Sequence, residues 1–275
     1  MAMTARVARL RQESLDARPS ISTERAELLT TFYQKETALM SAPMRRALAF
    51  RHILEHRTIF IGEGELIVGE KGPSPKAAPT YPELCCHSLQ DLDILDSRDK
   101  IPFSVTPEAR RVYQETIIPF WQGRSMRDLL FGHMTPEWHA AYEAGVFTEF
   151  MEQRSPGHTV LDDKIYRRGM LDVQRDIEDR LARLDYLQDA EAYRRGEQLR
   201  AMHVAAQAII RFAERHAEQA LEMAHLEGDA QRRAGPTSMR AAFRGRVRSL
   251  AVMDDAGGPS QAGVPPEMRP GLLEE

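Results

Sequence analysis

Ala201-Met-His-Val-Ala-Ala-Gln-Ala-Ile-Ile-Arg-Phe-Ala-Glu-Arg-His-Ala-Glu-Gln-Ala220 is the stretch whose reading decides the fold class. Met202, Ala205, Ile209, Phe212 and Ala220 recur at helical intervals, and polar residues fill positions between them. No glycine or proline interrupts the run. Leu181, Leu184 and Leu187 carry a related pattern further back. The spacing predicts the longest helices between about 169 and 227, with these residues on their buried sides.

Toward the N-terminus the helical reading continues. Residues 3–16 are basic and amphipathic. Ser20-Ile-Ser-Thr-Glu24 offers capping residues and a first-turn acid to a helix carrying Leu28, Leu29, Phe32 and Tyr33. Pro43 sits where a first helical turn tolerates it, ahead of Leu48, Phe50, Ile53 and Leu54. Thr106-Pro-Glu108 and Thr135-Pro-Glu137 are helix starts of one type: threonine caps, proline fits the first turn, and glutamate suits the dipole.

Thr58-Ile-Phe-Ile61 and Glu65-Leu-Ile-Val68 flank Gly62-Glu-Gly64 and predict a hairpin or two neighbouring edge strands. From Gly69 to Glu83 glycines and prolines rule out a helix and predict a long irregular segment. The expected class is therefore mainly α with a short β hairpin. Residues 235–275 hold 6 glycines and 5 prolines in 41 positions and lose all periodicity, so we expect a unit over 1–234 and a divergent, disordered tail over 235–275.

The totals exclude several classes. An apolar content of 42% and a charged content of 28% fit a globular protein. A net charge of −4 gives no general drive toward nucleic acid or an anionic membrane. The arginines Arg232, Arg233, Arg240, Arg244, Arg246 and Arg248 lack any base-reading module. No apolar run is long enough to span a bilayer, and the N-terminus lacks an export signal. The 2 cysteines, Cys85 and Cys86, are adjacent, which excludes a disulfide framework and agrees with a cytoplasmic location.

Three places could carry chemistry. His52-Ile-Leu-Glu-His56 puts two histidines one helical turn apart, a spacing that can hold zinc. A third ligand is missing and Arg45, Arg46, Arg51 and Arg57 crowd the helix, so we read a solvated face and expect no metal. Cys85-Cys86-His87 could pair a thiol with an imidazole, but adjacent side chains diverge in extended chain, and a structural role is expected.

The third is Phe147-Thr-Glu-Phe-Met-Glu-Gln-Arg-Ser-Pro-Gly-His-Thr-Val160. Ser155-Pro-Gly157 breaks a helix and turns the backbone sharply. His158, Arg154, Glu152, Phe147 and Phe150 can then converge on a small polar ligand. Imidazole can exchange a proton near neutrality, guanidinium can clamp a carboxylate, and Asp162 and Asp163 lie nearby to orient either. The plain alternative is a helix end with ordinary surface charges.

Glu65–Gly72, Ala78–Glu83, Cys85–His87, Pro119–Trp121, Met134–Trp138 and Phe147–Val160 together resemble the N-terminal portion of the glycyl radical enzymes, the pyruvate formate-lyase-like superfamily. The likeness is nearly continuous from about residue 5 to about residue 233. It implies that the fold is the outer, helical N-terminal fragment of an α/β barrel. It implies lyase chemistry, in which a radical S-adenosylmethionine activating enzyme places a radical on a glycine near the C-terminus of the full-length parent. A cysteine thiyl formed from it removes a hydrogen atom from the substrate. No separately bound cofactor is implied, and the parent is expected to be a homodimer.

Within the family the resemblance points to dehydration of trans-4-hydroxy-L-proline to 1-pyrroline-5-carboxylate. His158 then matches a histidine beside the departing hydroxyl, Phe150 an aromatic wall against the pyrrolidine ring, and Arg154 a supporting residue. Isethionate sulfite-lyase and formate C-acetyltransferase chemistry are alternatives, as is a non-catalytic remnant. An isethionate enzyme would carry glutamine in place of His158. The family's thiyl cysteine lies in a Cys-x-Glu arrangement, yet His87 and Ser88 stand two positions after Cys85 and Cys86. No radical-glycine motif appears in the last 41 residues. We therefore expect no catalytic residue in this chain, an inactive truncated fragment, and a tail read out of frame.

Overall fold

The computed structural model describes residues 3–35, 39–65, 68–147 and 164–226. The segment 235–275, expected as a divergent tail, lies outside the described residues. Helices dominate. They are α1 (Ala5–Asp16), α2 (Glu24–Gln34), α3 (Ala42–His56), α4 (Leu89–Ser97), α5 (Pro107–Val112), α6 (Ile118–Trp121), α7 (Met126–Gly132), α8 (Pro136–Glu143), α9 (Lys164–Arg167), α10 (Met170–Ala182) and α11 (Ala192–Leu226). The mainly helical expectation holds.

The first strand of the expected hairpin does not form, and Leu66 and Ile67 of the second lie outside the described residues. Residues 58–61 are not in a strand, and Gly62–Glu65 is a turn closed by the Glu65 N–H on the Gly62 carbonyl at 3.2 Å. Side chains from elsewhere take the backbone groups a hairpin would need. Glu24 accepts the Thr58 N–H at 2.7 Å and its hydroxyl at 2.5 Å. Arg9 on α1 holds Glu63 through both its carboxylate at 2.9 Å and its carbonyl at 3.0 Å.

The sheet lies instead between β1 (Ser20–Ser22) and β2 (Ala77–Pro79), a parallel pair in the register Ser20↔Ala77, Ile21↔Ala78 and Ser22↔Pro79. Ser20-Ile-Ser22, expected to open α2, is thus a strand. Gly72 permits the approach of this strand: a Cβ there would sit 2.3 Å from the Ala77 carbonyl oxygen.

The threonine caps form as expected. Thr106 accepts the Ala109 N–H at 3.0 Å, and Thr135 accepts the Trp138 N–H at 3.3 Å. Ser88 and Ser125 add reciprocal boxes with Asp91 and Asp128. After α5 the helix widens into a π turn, Tyr113–Ile117, in which the Ile118 N–H reaches the Tyr113 carbonyl. Pro119 follows without an N–H to continue the α ladder, which accounts for the shifted pairing.

The core gathers Ala26, Leu29, Ala49, Ile53, Leu92, Tyr113, Ile117 and Trp121 from α2, α3, α4 and the π turn with α6. Trp121 is buried, and its indole N–H donates to the Thr30 hydroxyl at 2.8 Å. That hydroxyl passes its own proton to the Ala26 carbonyl at 2.7 Å. The chain of donors leaves no buried polar group of the pair unmet.

α3 and α11 run side by side in the same direction. Ser41, at the N-terminus of α3, donates to Glu197 at 2.8 Å; Arg215 donates to the Leu54 and Arg57 carbonyls at its C-terminus, at 2.6 and 2.8 Å. An acid thus stands at the positive end of α3 and a guanidinium at its negative end. The expected buried face of α11 is partly corrected. Ala220 is buried, but Met202 is 46% exposed, and Leu187 before the helix is 93% exposed. Small residues including Ala201, Ala208 and Ala217 occupy the buried side, because α3 and α10 approach too closely for longer chains.

Thr30→Val leaves the Trp121 N–H without its acceptor and is expected to lower unfolding stability by about 1–3 kcal/mol. Adding Trp121→Phe to that variant should recover part of the loss, since the orphaned donor goes with it. Denaturant melts of both variants read the difference; equal stability of Thr30→Val and the parent would refute it.

Candidate functional site

Phe150, Arg154 and His158 lie in 148–163, outside the described residues, together with Glu152, Asp162 and Asp163. The structure does describe how the chain is delivered to that segment. α7 starts at the Ser125–Asp128 box and α8 at the Thr135 cap, which sets the two short helices around the turn between them. Phe131 meets Trp138 edge-on at 5.0 Å and Tyr142 edge-on at 5.2 Å. Trp138 and Tyr142, one helical turn apart, stack with planes 4° apart at 5.4 Å.

Polar contacts fix the cluster's orientation. The His139 ring hydrogen-bonds the Phe131 carbonyl at 3.0 Å, and the Arg127 guanidinium lies over the Phe131 ring at 4.2 Å. α8 then ends in a reciprocal C-terminal motif. The Gly145 N–H reaches the Tyr142 carbonyl and the Val146 N–H the Ala141 carbonyl, both at 3.0 Å. Gly145 adopts φ 71°, a left-handed conformation that a side chain would resist. The turn lays the Phe147 ring against Trp138 at 5.1 Å and Tyr142 at 6.3 Å. The residue that opens the predicted ligand segment is therefore held by an aromatic cluster. Aromatic residues at 138 and 142 were the local signal for this cluster, and sequence reasoning did not use it.

The other two candidates lie among the described residues. The His52 and His56 rings lie 4.3 Å apart, but the His56 Nδ1 is engaged by the His52 carbonyl at 2.8 Å. Burial, then the charges of His56 and Lys35, hold the His52 imidazole below its ordinary pKa, opposing a cation there. Among the described residues no three His, Cys, Asp or Glu side chains gather as a metal site.

Cys86 packs against the hydrophobic core, and burial, with Asp128 and Cys85 contributing, pushes its thiol up to about 12. Its neighbour His87 is pulled down by burial and stays neutral, so it offers no cation to draw off the thiol proton. The Cys86 thiol is thereby held in its protonated form. Nothing in its surroundings fits the role of an activated radical-relay cysteine, and no chemical step is assigned to it.

A family model described as pyruvate formate lyase-like matches residues 3–244. Trans-4-hydroxy-L-proline dehydratase of Clostridioides difficile is 54% identical over 224 residues, covering 82% of this chain and 28% of that protein. Isethionate sulfite-lyase of Nitratidesulfovibrio vulgaris is 32% identical over 232 residues, covering 80% of this chain and 28% of that protein. The crystal structure of hydroxyproline dehydratase from Clostridioides difficile, with trans-4-hydroxy-L-proline bound, superposes with a TM-score of 0.85 at 48% identity, over 90% of this chain and 31% of that one. The chain thus spans under a third of the length of these relatives. No helix among the described residues is long and apolar enough to cross a membrane.

The Cys86 thiol should resist iodoacetamide at pH 8 and become alkylated only on unfolding, as read by peptide mass spectrometry. Its folded pKa is raised above the unfolded value of 9.0, so its contribution to stability is complete below that pH and is lost as pH climbs toward about 12. A melting temperature independent of pH across that window, or rapid native alkylation of Cys86, would contradict the burial argument.

Proposed function

This chain belongs to the pyruvate formate lyase-like family of glycyl radical enzymes, and from that premise we propose that it forms part of a hydro-lyase acting on trans-4-hydroxy-L-proline. The observation that carries this reading is the identity of 54% to a hydroxyproline dehydratase over 224 residues, against 32% to an isethionate sulfite-lyase over a similar span. His158 supports it further, since glutamine is expected there in an isethionate enzyme.

On this reading the products are 1-pyrroline-5-carboxylate and water. Phe150 packs against the pyrrolidine ring and excludes water from that face. His158 hydrogen-bonds the departing hydroxyl and eases its loss by giving a proton to the oxygen. Arg154 is a supporting residue. The anchored Phe147 fixes the point from which this segment departs, which favours reproducible placement of both contacts. When present, the glycyl radical supplies hydrogen-atom abstraction, and on this reading the thiyl cysteine and radical glycine belong to the remainder of the complete enzyme. A radical S-adenosylmethionine enzyme would install that radical, and the complete enzyme would be a homodimer.

The test is anaerobic incubation of the complete, activated enzyme with trans-4-hydroxy-L-proline. Pyrroline product is expected. Its absence, with the glycyl radical confirmed by EPR, would remove the substrate assignment. His158→Gln should lower kcat by about 10²–10⁴-fold, the range of a lost general acid, with the radical content unchanged. Unaltered kcat would remove the role given to His158.

A further inference from the structure

A cavity of about 630 Å³ opens between α3 and the corner joining α6 to α7. Its walls carry three guanidiniums, Arg45, Arg46 and Arg124, with Tyr33, Trp121 and His133 between them. Two carboxylates also face it, and both are engaged. Glu83 accepts a two-point contact from Arg25, and Asp128 accepts from the Ser125 N–H at 3.1 Å and hydroxyl at 2.7 Å.

Among the described residues none of the three arginines has an ion pair. Arg45 lies over the Tyr33 ring at 5.9 Å and Arg124 over the Phe120 ring at 4.8 Å, contacts that orient a guanidinium without satisfying its N–H groups. The Arg45 Nε is shut off from solvent and meets no acceptor. Arg46 and Arg124 are exposed at the cavity with no carboxylate among the described residues to meet them, and an oxyanion between them would supply the missing acceptor. The guanidinium fork suits oxyanions in particular, and the volume falls within the range of small-molecule sites.

We propose that this cavity binds a small, multiply charged oxyanion, either a phosphate monoester or a polycarboxylate, held by Arg45, Arg46 and Arg124. None of the three arginines is among the proposed hydroxyproline contacts, and the proposal does not depend on that assignment. Arg46 and Arg124 are exposed at its rim, so their side chains can be changed without opening the core.

Isothermal titration of the purified chain with inorganic phosphate, and separately with citrate, tests this at low ionic strength. Saturable binding at one site is expected, weakened about tenfold by Arg46→Gln and by Arg124→Gln, the equivalent of one lost charged hydrogen bond. Arg46→Lys keeps the charge but loses the fork and should fall between parent and Arg46→Gln. Arg211→Gln, at a residue outside the cavity lining, should change nothing. Tighter phosphate binding marks a phosphate-bearing ligand, and tighter citrate binding a carboxylate-bearing one; either supports the site. No saturable binding by a chain that is folded by circular dichroism overturns it. So does equal weakening by Arg211→Gln, which would mean diffuse charge attraction only.

Discussion

Arg215 joins parts of the chain that sequence separates widely. Its guanidinium reaches from the middle of α11 to the last carbonyls of α3, where backbone acceptors would otherwise lack partners. The pairing matters because α3 and α11 run in the same direction, so their dipoles repel rather than cancel. Glu197 at one end of α3 and Arg215 at the other offset that repulsion. Their separation along α11, 18 residues or about 27 Å, is comparable with the roughly 22 Å length of α3. Through α3 the clamp extends to α2 and to the core around Trp121, since Ala49 and Ile53 belong to both.

The region leading to the proposed ligand segment is built differently. It has little fully buried surface; Phe131, Trp138 and Tyr142 are each partly covered. Ring geometry and terminal caps hold it instead. Ser125, Thr135 and Gly145 determine where α7 and α8 begin and where α8 ends, and the rings pack between them. A functional segment placed after such a unit depends on local chemistry near at hand rather than on distant packing.

That contrast explains what was legible in the sequence. Helix starts at Thr106 and Thr135 were readable because a cap acts on residues three positions away. Helix content was readable because its period is local. The parallel pairing of Ser20–Ser22 with Ala77–Pro79 was not, because its partners lie far apart and Ser20-Ile-Ser also reads as a helix entry. The first strand of the expected hairpin failed for the same reason: Glu24 and Arg9, remote in sequence, claim the groups at Thr58 and Glu63. The exposure of Met202 was hidden because periodicity gives a face but not the distance to its neighbour. Of the site, the sequence named Phe150, Arg154 and His158 by resemblance, but the aromatic support under Phe147 and the three cavity arginines depend on folding. Family membership was legible because several short motifs coincide in order along the chain.

The alanines along α11 have a consequence for how such a chain can change over generations. Ala208 and Ala220 are almost wholly buried and already carry the smallest side chain short of glycine. Enlarging either would separate helices whose charged contacts at Glu197 and Arg215 act over fixed distances. Shrinking either to glycine would weaken the helix itself. The seam has almost no neutral neighbours in sequence space, whereas the outward side, with Met202 and Leu226, can vary at little cost. Divergence among related chains should therefore be slow along one stripe of this helix and fast along the opposite one.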